Sequence, residues 1–154
     1  MLTADEIGAL VVEAAPLLEG ARVQDVHQGD DHSVVLTFYS GEHGKLFLLF
    51  STVPGFARFH LVPDRPRALP APPAFSEAAR KRLVGSRLKS LRQVSGDRIV
   101  ELAFSGPGEE GQPASLVDHE MLGSRSRLVL VGSGRKVISV LEQGVKVGLS
   151  PGDE

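Results

Sequence analysis

Apolar side chains recur at three- and four-residue intervals only at the start of the chain. Ile7, Leu10, Val11, Ala14, Leu17 and Leu18 trace the stripe of an amphipathic helix. Thr3-Ala4-Asp5-Glu6 has the form of a helix capping box, and Gly20 is a stop signal. Together these predict a helix over residues 4–18, which Pro16 is expected to kink or end. Beyond Gly20 the period shortens. ARVQDVHQ, SVVLTFYS, KLFLLFS and FARFHLV are short and rich in β-branched and aromatic residues. Turn formers separate them, as in a meander of strands. PDRPRALPAPP (63–73) holds five prolines in eleven residues and predicts an extended connector. A second helix is expected from Phe75 to about Val84, ended by Gly85. RLKSLRQV, RIVELAF, SLVDHEML, RLVLV and KVISVLE then predict five more strands. The fold class expected is α+β. It would be a mainly antiparallel two-sheet β-sandwich of about 8–9 strands, flanked by helices at about 4–18 and 75–84.

Composition narrows the setting. The 154 residues are the size of one ordinary domain, with 42% hydrophobic and 23% charged residues. There is no cysteine, which removes disulfides and thiolate zinc sites. No apolar run approaches the roughly 18 residues that span a bilayer. The acidic N-terminus is unlike a signal peptide, so a cytoplasmic protein is expected. Charge is unevenly spread. The net charge is −2, yet residues 58–98 carry ten Lys or Arg against three Asp or Glu. Such asymmetry points to an anionic partner, or else to solvated Arg-rich faces.

Most local chemistry is explained without a site. Gly148-Leu149-Ser150-Pro151-Gly152 matches a nucleophile elbow in letters only, because a proline follows the serine where a helix should begin. Gly132-Ser133-Gly134-Arg135-Lys136 precedes a strand-like segment rather than a helix, so a hairpin turn is expected instead of a phosphate loop. Asp30-Asp31-His32 and Asp118-His119-Glu120 contain metal-ligand types. Strand neighbours face opposite ways, however, so neither triplet aims all its groups at one ion. No metal, cofactor or catalytic residue is expected. Asp97-Arg98, following Ser95-Gly96, has two readings: a plain turn, or an arginine gripping phosphate beside an orienting carboxylate.

Read in order, residues 56–130 carry a family pattern. It comprises Phe56-Ala57-Arg58-Phe59-His60-Leu61, Pro72-Pro73-x-Phe75, and Arg80-Lys81 with Leu83, Gly85, Arg87 and Leu88. Gln93, Asp97-Arg98-Ile99-Val100, Phe104 and Glu120-Met121-Leu122-Gly123-x-x-Ser126 follow. With LEGARVQDVHQ at 18–28, this resembles the N-terminal domain of the NFACT proteins, the ribosome quality-control elongation factors also described as fibronectin-binding protein A. The resemblance implies residues 1–145 as one NFACT-N-like domain with 146–154 as a linker. It also implies a fold similar to the N-terminal domain of formamidopyrimidine-DNA glycosylases. Those enzymes attack with an N-terminal proline; here the first proline is Pro16, so glycosylase chemistry is not expected.

The resemblance further implies contact with tRNA and the large ribosomal subunit, in support of template-free tailing of stalled nascent chains. In the family the Asp-Arg pair matching Asp97-Arg98 serves tRNA handling, aided by an acid on the first helix. Asp5 or Glu6 is the counterpart, and register favours Glu6. Arg58, Arg80, Lys81, Arg82 and Arg87 are the expected phosphate contacts. The family commonly has Asn where this chain has Arg127, and Asp where it has Glu6. The helix-hairpin-helix, coiled-coil and C-terminal RNA-binding parts of NFACT proteins have no counterpart in these residues. The expected role is a non-enzymatic RNA-facing module. The alternatives are a fibronectin-binding type of adhesin domain and a catalytically inactive glycosylase-like nucleic-acid binder.

Overall fold

A computed structural model of the protein describes residues 3–30, 32–53, 57–63, 74–105, 113–122 and 126–142. Helix α1 (Ala4–Leu18) leads into β1 (Arg22–Asp30), β2 (Ser33–Ser40), β3 (Gly44–Ser51) and β4 (Arg58–Val62). Helix α2 (Ala74–Leu83) precedes β5 (Leu88–Gln93), β6 (Ile99–Ser105), β7 (Pro113–Glu120), β8 (Arg127–Val131) and β9 (Val137–Glu142). Each helix is thus followed by an antiparallel meander. The sheets are ordered β1-β2-β3-β4 and β5-β6-β7-β8-β9. This is the expected α+β two-sheet sandwich with two helices. Most of the proline-rich connector and the C-terminal segment, including Ser150, lie outside the described residues.

The core forms between the sheets because alternate strand positions are apolar and face inward. Phe38, Phe50, Phe59 and Phe104 are fully buried, with Leu36, Leu48 and Leu102 around them. Helix α1 adds Ile7 and Leu18 and lies against β5, touching β4. Helix α2 adds Phe75, Ala79 and Leu83 and lies against β1 and β9.

One expectation changes. Pro16 neither ends nor interrupts α1, which runs to Leu18. Only the bond to the Val12 carbonyl is lost, and Val12 is 76% exposed, where water can serve that group. The Glu19 amide still closes the last turn on the Ala15 carbonyl. Helix α2 ends at Leu83, matching the expected end at about Val84, and Gly85 adopts a φ of +91°. The Gly85 amide donates to the Val23 carbonyl, so strand β1 captures the backbone that another helical turn would need.

The sheets also meet at a seam. Arg22 of β1 and Arg87, just before β5, form an isolated antiparallel bridge. The Val23 amide donates to Ser86 O, and the Leu88 amide to Ala21 O.

Candidate functional site

The β5–β6 connection positions Asp97 and Arg98. Ser95 and Gly96 both have positive φ, 48° and 68°, as the two central residues of a type I′ turn require. The Asp97 amide donates to Val94 O, and the Val94 amide to Ile99 O. The Asp97 carboxylate accepts from the Arg98 amide at 2.7 Å, which orients it at the turn surface. Arg98 is half-buried, and its carbonyl accepts from the Met121 amide.

Gln93 ties this turn to α1. Its side-chain amide donates to Ala4 O at 2.8 Å and to Asp97 O at 2.7 Å. The N-terminal end of α1 is therefore held against the Asp97-Arg98 turn, although about ninety residues separate them in the chain. Gly8 makes room for the contact, since a Cβ there would stand 2.9 Å from the Gln93 carbonyl oxygen.

Glu6 stands on this end of α1 but already has a structural task. Its carboxylate accepts from the Thr3 amide, and its own amide donates to Thr3 Oγ1, completing the capping box. These bonds from the Thr3 backbone and hydroxyl hold the Glu6 carboxyl below its ordinary pKa, while it stays fully exposed. Arg58 is exposed at the start of β4, opposite Ser51 in register. The Ser51 carbonyl contacts His119 Nε2 at 3.0 Å. His119 pairs in register with Val100, next to the Asp97-Arg98 turn.

The remaining sequence-predicted cations lie elsewhere. Helix α1 and strand β5 separate them from Asp97 by roughly 20 Å. Arg80 is a brace: its guanidinium donates from Nε to Asp25 at 3.2 Å and from Nη2 to the Val26 carbonyl, fastening α2 to β1. Arg87 donates to Gly20 O at 3.0 Å. Lys81 and Arg82 are exposed. The Arg82 guanidinium also lies over Gly132, where a Cβ would come within 3.1 Å of it. The residues read as one basic run thus divide into braces and a surface group.

Of the two metal-ligand triplets, Asp118-His119-Glu120 separates as strand geometry requires. Of Asp30-Asp31-His32, Asp31 is outside the described residues. In the other triplet, His119 points inward and is fully buried against Phe50 and Phe59, edge to face, at ring distances of 5.4 and 6.5 Å. Burial drives its pKa down to about 4. Asp118 points outward, opposite Glu101 in register. Burial, then its hydrogen bond with Glu101 and that residue's charge, push Asp118 up to about 7. Arg92 and Arg135 hold Glu101 at 2.8 and 3.4 Å, and the Arg135 charge partly offsets the rise at Asp118. Glu120 is gripped by Arg127 at 2.8 Å, so the Arg that stands where the family commonly has Asn serves a cross-strand ion pair. Among the described residues no three metal-ligating side chains converge, and no helix is long and apolar enough to cross a membrane.

Sequence reasoning missed the clamp formed by Gly8 and Gln93. Gln93 was visible as part of the family pattern, but only the tertiary structure shows what its amide holds.

Comparison with known proteins agrees with this architecture. The chain is 32% identical over 136 residues to the Rqc2 homolog RqcH of Streptococcus pneumoniae, covering 86% of this chain and 24% of that protein. It is 26% identical over 121 residues to RqcH of Bacillus subtilis, covering 77% of this chain and 21% of that one. It therefore spans about a quarter of the length of these curated relatives. The crystal structure of the N-terminal domain of fibronectin-binding protein PavA from S. pneumoniae superposes with a TM-score of 0.87 at 28% identity. That match covers 99% of this chain and 62% of the other. A fibrinogen-binding protein from Staphylococcus aureus superposes at 0.78 with 27% identity, covering 96% of this chain and 53% of that one. The family model for NFACT N-terminal and middle domains matches residues 6–146. With nearly its whole length matched and the two-sheet fold shared, the chain belongs to the NFACT family as an N-terminal domain.

Proposed function

We propose that this domain is a non-enzymatic RNA-facing module of ribosome-associated quality control. It contacts tRNA or large-subunit RNA in support of template-free tailing. The observation that carries the reading is the clamped turn. Asp97 and Arg98 are presented on a rigid type I′ turn, which Gln93 locks to the end of α1 that bears Asp5 and Glu6. An arginine can bond phosphate oxygens there while neighbouring carboxylates accept from base or sugar donors. The relatives named Rqc2 homologs support the setting. Lys81 and Arg82 add exposed positive charge, whereas Arg80 and Arg87 are tied to the fold as well.

The test is tRNA binding by anisotropy at low salt. Asp97→Ala/Arg98→Ala should weaken binding at least tenfold, and Lys81→Glu/Arg82→Glu should weaken it further and flatten its salt dependence. Binding unchanged in both would overturn the reading.

The structural neighbours named for fibronectin and fibrinogen binding favour a second reading, a protein-binding face. Saturable capture of immobilised fibronectin by the folded chain, insensitive to competing tRNA, would support that reading over the first.

A further inference from the structure

The seam between the sheets carries a second surface. Tyr39, Arg22 and Arg87 form a cross-strand row. Arg22 is the register partner of Tyr39 on β2 and of Arg87 across the seam. Direct antiparallel partners share a face, with Cβ atoms about 5 Å apart, so the aromatic ring and both guanidiniums project on one side. All three are exposed. Two arginines side by side repel, and the fold keeps them together through seam hydrogen bonds on either side. Arg87 is further fixed by its bond to Gly20 O.

These residues line a groove of about 540 Å³ together with Gln24, Ser40 and Gly41. Glu19, on the same wall, is occupied by the Leu91 amide at 3.0 Å. Arg87 also lines a second groove, of about 370 Å³, with Lys81, Arg82, Val84 and Ser105. The two grooves meet at Arg87, so four cations follow one track. Among the described residues the exposed large hydrophobics are Val12, Tyr39 and Val84, and the latter two flank this track.

We infer that the track binds a single-stranded RNA segment. Its phosphates cross Arg87, Arg22 and the Lys81–Arg82 pair, and one base stacks on Tyr39. Cations that follow a backbone, with an aromatic face for a base, are the two elements of sequence-tolerant single-strand recognition. An acidic peptide would use the cations but gain little from a flat ring. The choice of RNA rests on the function proposed above; the track does not, and it lies at the opposite end of the β5–β6 hairpin from Asp97.

The chain provides its own probe. Tyr39 is its single tyrosine and there is no tryptophan, so intrinsic fluorescence reports this one ring. Titration with a ten-nucleotide uridine oligomer should quench that emission saturably, while base-free polyphosphate should not. In competition assays Tyr39→Ala should weaken oligomer binding by about tenfold, and Tyr39→Phe should retain it. Arg22→Gln, with its fold checked by circular dichroism, should lower the slope of log affinity against log salt by about 0.7. Asp97→Ala/Arg98→Ala, at the far end of the β5–β6 hairpin, should leave the extent of Tyr39 quenching unchanged. Polyphosphate or polyglutamate binding as tightly as the oligomer, or Tyr39→Ala binding like the wild type, would overturn the inference. Unchanged tRNA binding in both Asp97→Ala/Arg98→Ala and Lys81→Glu/Arg82→Glu, with quenching intact in the wild type, would remove the proposed function and leave the track standing.

Discussion

Asp118 and His119 are chain neighbours pushed out of their ordinary ranges in opposite directions, because successive strand residues face different surroundings. His119, folded among phenylalanines, titrates near 4 and therefore binds fewer protons than its unfolded form below about 6.5. Its contribution to stability is present above that pH and is lost as pH falls. Asp118, beside Glu101, titrates near 7 and stays protonated where its unfolded form is ionised. Its contribution is complete below about 4 and is lost as pH rises toward 7. Between pH 4.5 and 6.5 the two slopes oppose each other. Asp118→Asn keeps a neutral partner for Glu101 and removes one slope. Stability from urea unfolding should then rise with pH more steeply than in the wild type across that range. Parallel profiles for the two proteins would refute the assignment. Gly8 allows a second residue-scale test. Gly8→Ala should gain about 1 kcal/mol of helix propensity in a Gln93→Ala background. In the wild type the gain should vanish, because the new methyl displaces the Gln93 carboxamide. Equal gains in both backgrounds would show that the clamp exerts no constraint.

At the scale of elements, α2 is attached to sheet β1–β4 by apolar contact and by Arg80. Arg80→Ala removes the donors to Asp25 and Val26 O and should cost about 2 kcal/mol, a value moderated by the partial exposure of the pair. Lys81→Ala, one residue on and exposed, should stay within about 0.5 kcal/mol. Thermal unfolding of both variants separates brace from surface cation. If Lys81→Ala proved as costly as Arg80→Ala, the division of the basic run would fail. At the other end of the hairpin, Thr3→Ala deletes the hydroxyl that holds Glu6 in the capping box. The Glu6 carboxyl should then titrate higher, back toward its ordinary range, by carbon-detected NMR. An unmoved titration would mean that the Thr3 hydroxyl adds nothing to the hold of the Thr3 amide on the carboxylate.

At the scale of the whole molecule, two meanders join at the Arg22–Arg87 seam, and α1 spans the sandwich from the Asp97-Arg98 turn to that seam. The two candidate surfaces therefore lie at opposite ends of one rigid body and should act independently. Combining Asp97→Ala/Arg98→Ala with Arg22→Gln should give additive losses in tRNA affinity, within about 0.5 kcal/mol. Strong coupling between the two sets would contradict the separation. Much of the architecture was legible beforehand. Nine short β-rich segments, one helical stripe and the turn signals between them are local patterns, legible without any long-range contact. The site was legible only in part. Asp97, Arg98 and the basic run stood out as letters, but nothing local marked Arg80 as a brace or Gln93 as a clamp.

The sequence by itself determined the elements and their order, because periodicity, caps and glycine turns act within a few residues. It also determined the charge asymmetry and, through an ordered set of short motifs, the family. The tertiary structure decided which cations serve the fold and which face solvent, since that depends on carbonyls and carboxylates distant in the chain. It alone placed Ala4 beside Asp97, His119 beneath Ser51, and Tyr39 in line with Arg22 and Arg87. Such neighbours are created by sheet registers and by a seam between sheets, and no local pattern encodes them.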